Sequence, residues 1–136
     1  MRTSARRAVN AATQRRIDLQ AGRAKTSTVR DAFPDVGVIH IDLGFSHHQP
    51  APSPQMHSMY PAARAFFRFS CPCADCDGEF DLAAVVTELA TASAPGKRTA
   101  RSIAGRSGCG GTHWRDSDHS EPCRIELSFR VAVSFT

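Results

Sequence analysis

Five cysteines lie between residues 71 and 123 of this 136-residue chain, three of them crowded into Cys71-Pro72-Cys73-Ala74-Asp75-Cys76 and the others at Cys109 and Cys123. The first group sits where an alternating apolar stretch ends, and the chain turns through Pro72 and Gly78 within eight residues. A metal knuckle asks for this: thiolates projecting from a tight turn whose N–H groups can donate to sulfur, with Gly supplying positive φ. Gly108-Cys109-Gly110-Gly111 is a second turn of the same character, and Cys123 follows Pro122. The pattern predicts a tetrahedral thiolate site with structural zinc as its metal. Five cysteines compete for four places. Cys71, Cys76, Cys109 and Cys123 form the favoured set; Cys73 is the alternative ligand, since Cys73 and Cys76 have CxxC spacing, whereas Cys71 has the better strand register.

A staple of this kind suits the chain's size. A domain of this length buries only about two thirds of its unfolded surface, less if its N-terminus is a tail. An odd number of cysteines in a chain without export features points to thiol or metal chemistry rather than a disulfide framework. Thiol redox at Cys73 and Cys76 is the rival chemistry, but a βαβ context is missing, and Asp75 and Asp77 disfavour a thiolate unless a divalent cation reverses that bias.

Hydrophobic periodicity supplies the architecture. Val36 to Phe45 alternates, with Ile39, Ile41, Leu43 and Phe45 on one face, and Ala63 to Cys71 does the same with Ala65, Phe67, Phe69 and Cys71. Residues 46–62 carry four prolines and read as an extended loop. From Asp81 to Ser93, Leu82, Val85, Val86 and Leu89 follow helical spacing, with Asp81 as N-cap and Pro95-Gly96 as the stop. A weak strand falls at Arg101–Ala104, and the clearest strand runs from Cys123 through Ile125, Leu127, Phe129, Val131 and Val133 to Phe135. If the Cys71 and Cys123 strands pair antiparallel, those two cysteines meet at one sheet edge. The predicted fold is α+β: a small antiparallel sheet, one covering helix and a zinc-ribbon-like metal site at the sheet edge.

Charge divides the chain. Residues 1–30 hold eight Lys/Arg against the single acid Asp18, a net +7, while residues 31–136 hold nine bases and twelve acids, a net −3. The expected organisation is a basic, Arg-rich tail or frayed helix over 1–28 and a single zinc-binding domain over 29–136. An acidic body disfavours an ordered nucleic-acid face there, leaving residues 1–30 as a contact for nucleic acid or another anionic partner. No apolar run reaches the roughly 18 residues of a membrane span, and the N-terminus lacks the apolar core of a signal peptide, so the expectation is a cytoplasmic protein without a membrane partner. The Arg-rich, acid-poor composition of residues 1–30 also matches an organelle transit peptide.

Other chemistry-bearing residues carry weaker signals than the cysteines. His47, His48, His57, His113 and His119 read as solvated loop residues, with His113 or His119 as the variant fourth ligand. Glu79 is the one acid near the first knuckle with the reach of a general base, besides the short Asp75 and Asp77. H-E-x-x-H, the zinc-deaminase signature and the phosphate-loop patterns are all missing, so no catalytic residue is assigned.

The runs Pro52-Ser53-Pro54-Gln55, Tyr60-Pro61-Ala62-Ala63-Arg64-Ala65-Phe66-Phe67-Arg68-Phe69, Cys71-Pro72 and Asp75-Cys76-Asp77-Gly78-Glu79-Phe80-Asp81-Leu82 resemble a group of small uncharacterised bacterial proteins with zinc-ribbon-like cysteines. The resemblance covers about residues 29–136. It implies that the outer cysteines of the first cluster, Cys71 and Cys76, are the ligands rather than Cys73. It implies no activity. Three classes of function remain: an interaction module using loop 46–62 and the Phe66 face, with an unknown protein partner; a nucleic-acid-associated protein using residues 1–30 and the Lys97-Arg98 to Arg106 stretch; and an enzyme with an open metal position.

Overall fold

A computed structural model describes residues 2–47, 52–73, 76–91, 100–116 and 119–136; side chains of residues 2–12, 114–116 and 119 lie outside the description. Helix α1 (Arg2–Ala24) is followed by the short α2 (Val29–Ala32), capped by the Thr28 hydroxyl, which accepts from Asp31 N–H. The chain continues through β1 (Val36–Ser46), β2 (Gln55–Met59), β3 (Arg68–Ser70), β4 (Glu79–Asp81), α3 (Ala83–Thr91), β5 (Arg101–Gly108), β6 (Thr112–Asp116), β7 (His119–Pro122) and β8 (Glu126–Phe135). Four of these strands form an antiparallel sheet ordered β2-β1-β8-β5, while β3-β4 and β6-β7 are separate two-stranded ribbons. The fold is α+β.

Alternation decides which face is buried. In the β1–β8 register Ile39 lies opposite Val133, Ile41 opposite Val131 and Phe45 opposite Leu127, so the apolar parities of both strands share one face. Ile103 of β5 and Met59 of β2 extend that face to both edges, and α3 closes over it with Val86 and Leu89 buried. Fully buried side chains of this size contribute about 1.5–3 kcal/mol each, so the β1–β8 pair is the energetic centre of the fold. Asp81 caps α3, its Oδ1 accepting from Ala83 N–H at 2.9 Å. The expected helix stop at Pro95-Gly96 lies outside the described residues.

Several boundaries differ from the sequence reading. Residues 46–62 are not one loop: Gln55–Met59, the proline-free part, pairs with β1 as the sheet edge. The expected strand Ala63–Cys71 shortens to Arg68–Ser70 and pairs with β4, not with the Cys123 strand. Ala65 N–H donates to Ser27 and Val29 N–H to Ala63, so residues 63–65 are tied to the α2 region and leave the ladder. The weak strand lengthens to Gly108, because β8 offers it a partner along eight residues. Strand β8 starts at Glu126, and Cys123 precedes it because a ribbon that alternation did not reveal, β6-β7, feeds in there.

Candidate metal centre

The cysteines lie where the two ribbons join the sheet. Cys71 follows β3, and its N–H donates to the Gly78 carbonyl at 3.0 Å, closing a loop just before β4 begins. Inside the loop Cys76 is followed by Asp77 and Gly78, and Gly78 N–H points at Cys76 Sγ, 3.3 Å away. The second half repeats this device. Cys109 leaves β5, Gly111 N–H donates to Cys109 Sγ at 3.4 Å, and Cys123 N–H donates to the Gly111 carbonyl at 3.0 Å. Each half therefore pairs a Cys-x-Gly turn with a second cysteine hung from that turn's glycine carbonyl. Asp77 Oδ1 accepts from Thr112 N–H at 2.8 Å, and Cys76 bridges His113, clamping the halves together.

The result is a four-sulfur cluster. Sγ atoms of Cys71, Cys76, Cys109 and Cys123 all lie within 4.8 Å of one another. Two opposite edges, Cys71–Cys123 and Cys76–Cys109, are 3.7 Å each. A regular tetrahedron with metal–sulfur bonds of about 2.3 Å has edges of about 3.8 Å, so the donor set fits a tetrahedral thiophilic ion. The cluster could hold a metal ion. All five cysteines are free of disulfides.

Close approach, rather than backbone handedness, explains the glycines. A Cβ on Gly78 would strike Cys109 Sγ and lie 3.0 Å from Gly111 Cα; one on Gly111 would lie 2.8 Å from Cys76 Sγ and 2.5 Å from Gly78 Cα. Neither residue has φ in the left-handed range, so the expectation of positive φ is corrected. Gly110 has open space around its Cβ position and carries no such constraint.

Burial dominates the thiol electrostatics. It pushes Cys71 far above its ordinary value, Cys76 up to about 12, and Cys109 upward. At Cys123 burial acts in the same direction, but hydrogen bonds from the Ile125 backbone, His113 and the neighbouring thiols outweigh it and hold the thiol below its ordinary value. A divalent cation among four sulfurs inverts the preference of the other three and favours thiolate throughout.

Cys73 is also buried and groups with His113 and Cys123, its ligand atom within 4.8 Å of theirs. His113 Nε2 lies 3.1 Å from Cys123 Sγ, so the imidazole sits against the four-sulfur cluster as a neighbour of one of its members. The remaining histidines are elsewhere: His57 packs on Phe69, His47 has a positive φ of 70° after β1, His48 lies outside the described residues, and so does the His119 side chain. Asp75 lies outside them as well, and Asp77 serves the Thr112 clamp. Glu79 is engaged by Arg15 and Arg68, both on Oε1. Arg16 was not singled out by sequence, yet its guanidinium donates to the carbonyls of Cys71 and Cys73, so α1 braces the first cysteine loop. The repeated Cys-x-Gly at 76–78 and 109–111 was the signal for the paired turns; nothing in the spacing marked Arg16.

Comparison of the chain with protein-family models, with curated proteins and with solved structures gives no match. Among the described residues, no helix is long and apolar enough to cross a membrane.

Proposed function

We propose that the chain is a structural zinc-binding domain of zinc-ribbon type that acts as a protein-interaction module in the cytoplasm, with zinc held by Cys71, Cys76, Cys109 and Cys123. The convergence of four sulfurs on two docked Cys-x-Gly turns carries this reading. Zinc is the metal of choice for four thiolates in tetrahedral array, and four such ligands leave no position for water or substrate. The ion's work is architectural: it ties ribbon β3-β4 to the segments flanking ribbon β6-β7. A site of this kind supplies about 10–16 kcal/mol of apparent binding free energy, comparable to the whole stability of a small domain.

The partner surface in this reading is the sheet edge at β2, where Met56 is 82% and Tyr60 60% exposed and, among the described residues, one side of the strand has no neighbour in the sheet order. Phe66 contributes less than its sequence position suggested, because it is half-buried and faces Gly22 of α1. Nucleic-acid binding through a diffuse tail has weaker support, since Arg15 and Arg16 are engaged with Glu79 and the cysteine loop. Lys97 and Arg98 lie outside the described residues.

The test is metal analysis of protein purified without chelator, followed by a circular-dichroism melt with and without a zinc chelator. About one zinc per chain and a melt that collapses on chelation are expected. A metal-free chain with an unchanged melt overturns the reading.

A further inference from the structure

The four sulfurs include two matched pairs. Cys76 and Cys109 both belong to Cys-x-Gly turns, each taking an N–H from its own glycine, and their sulfurs are 3.7 Å apart. Cys71 and Cys123 are both tied by backbone hydrogen bonds to a glycine carbonyl, and their sulfurs are also 3.7 Å apart. Each short contact therefore joins the first half of the site to the second, across 33 residues for Cys76–Cys109 and 52 for Cys71–Cys123. Disulfide sulfurs are about 2.0 Å apart, so either pair bonds by closing about 1.7 Å. Four cysteines allow three pairings, and only Cys71–Cys76 with Cys109–Cys123 would leave the halves untied.

Access falls on one member of the four. Cys109 is partly exposed, while Cys71, Cys76 and Cys123 are buried. A cleft of about 450 Å³ lined by Gly78, Gly110 and Gly111 lies against the two turns, and the space at the Gly110 Cβ position is open. A small neutral oxidant such as hydrogen peroxide therefore meets Cys109 first, and Cys76 is in contact with it. Exposure and thiolate character are what make a cysteine oxidisable, and a bound zinc ion supplies the second.

We propose, on the zinc reading above, that the cluster is a site of oxidation by peroxide: Cys76–Cys109 and then Cys71–Cys123 become disulfides, the ion is released, and the two halves stay covalently stapled. The Cys109 thiolate attacks one peroxide oxygen, forming S–O, breaking O–O and expelling hydroxide. The Cys76 thiolate then attacks the Cys109 sulfur, forming S–S, breaking S–O and expelling the second hydroxide. Two thiolates have lost two electrons, one peroxide has gained them, and zinc has lost two of its four ligands. A second peroxide oxidises Cys71 and Cys123 in the same way. Zinc leaves as the dication, and two cross-links now restrict the unfolded chain in its place.

The full zinc-loaded chain is treated with hydrogen peroxide. Released zinc is followed with a chromophoric chelator, disulfides by non-reducing peptide mapping, and the fold by a circular-dichroism melt. Expected are loss of about one zinc per chain for about two peroxides consumed, bridges at Cys76–Cys109 and Cys71–Cys123, and a cooperative melt that the reduced, chelated chain lacks. Cys73→Ala is expected to release zinc with the same stoichiometry and to form the same bridges, since Cys73 belongs to neither pair. Zinc retained under peroxide, bridges within one half or to Cys73, or an oxidised chain without a cooperative melt overturns the proposal. Zinc is assayed before oxidation: a chain that starts without metal counts against the zinc reading, and the pairing then stands or falls on the same bridge map.

Discussion

Gly78 and Gly111 stand back to back at the cysteine cluster, so close that a Cβ on Gly111 would lie 2.5 Å from Gly78 Cα and 2.8 Å from Cys76 Sγ. One methyl group there must separate the two turns or push a sulfur off its vertex. Gly111→Ala is therefore expected to weaken zinc binding about 30-fold or more, equivalent to about 2 kcal/mol of overpacking. Gly110→Ala, one residue away with nothing within 4 Å of its Cβ position, is expected to bind like the parent. Competition against a chromophoric chelator measures both; equal affinity in the two variants would show that the turns do not need their contact.

Cys71 and Cys73 are both buried, but only Cys71 sits in the four-sulfur group. Removing Cys71 leaves three sulfurs and a polar void, so Cys71→Ala is expected to lose stoichiometric zinc. Cys73→Ala removes a small buried thiol and is expected to keep one zinc per chain, at a cost of about 1 kcal/mol in stability. Alkylation of the zinc-loaded chain under denaturant-free conditions, read by peptide mapping, then labels Cys73 before any other cysteine. The reverse pattern, with zinc lost from Cys73→Ala and retained by Cys71→Ala, would transfer the ligand role.

Much of this was legible beforehand because two periodicities carry it. Alternation survives as the β1–β8 pair from Val38 to Phe45 and from Leu127 to Ser134, since one face of each strand must be dry, while the register shifts between Val36 and Val38 and the expected start at Cys123 moves to Glu126. The helical spacing of Leu82, Val86 and Leu89 survives for the same reason. What alternation could not disclose was partnership: Phe67 and Phe69 alternate correctly, yet only Phe69 lies in the three-residue β3 that pairs with β4, and Cys71 reaches Cys123 through side chains rather than through a ladder. The sequence of ribbon β6-β7 shows no apolar alternation to advertise it. Its hydrophilic sequence, Thr112-His113-Trp114-Arg115-Asp116, reads as loop until the cysteines at 109 and 123 are seen to bracket it. Side chain to backbone contacts such as Arg16 to Cys73 join residues 57 apart and leave no mark in spacing.

Proton linkage gives the metal reading a second handle. Burial raises Cys71, Cys76 and Cys109, so these thiols hold their protons at neutral pH until a cation displaces them. In the metal-bound state the sulfurs titrate far below the unfolded value of about 8.5, so the stability they contribute is fully present above that value and is lost as pH falls through the bound one. Calorimetric zinc binding near pH 7 in buffers of different ionisation enthalpy is expected to show release of about three to four protons per zinc. Release of about one proton would mean that most of the ligands are not thiols.

His113 Nε2 at 3.1 Å from Cys123 Sγ places an imidazole beside one vertex of the cluster, with the Cys73 sulfur within 4.8 Å of the ligand atoms of both. With zinc bound as proposed, an Nε2–H tautomer would donate to the Cys123 thiolate, orienting it and dispersing its charge without entering the coordination sphere. His113→Ala is then expected to keep one zinc per chain with affinity lowered about tenfold, while cobalt-substituted parent and variant share the intense charge-transfer absorption of four thiolates. If His113 instead replaces a cysteine as ligand, the parent's cobalt spectrum has weaker thiolate bands and His113→Ala loses the metal. The spectrum and the stoichiometry together decide between the two ligand sets, because only a coordinating imidazole changes both.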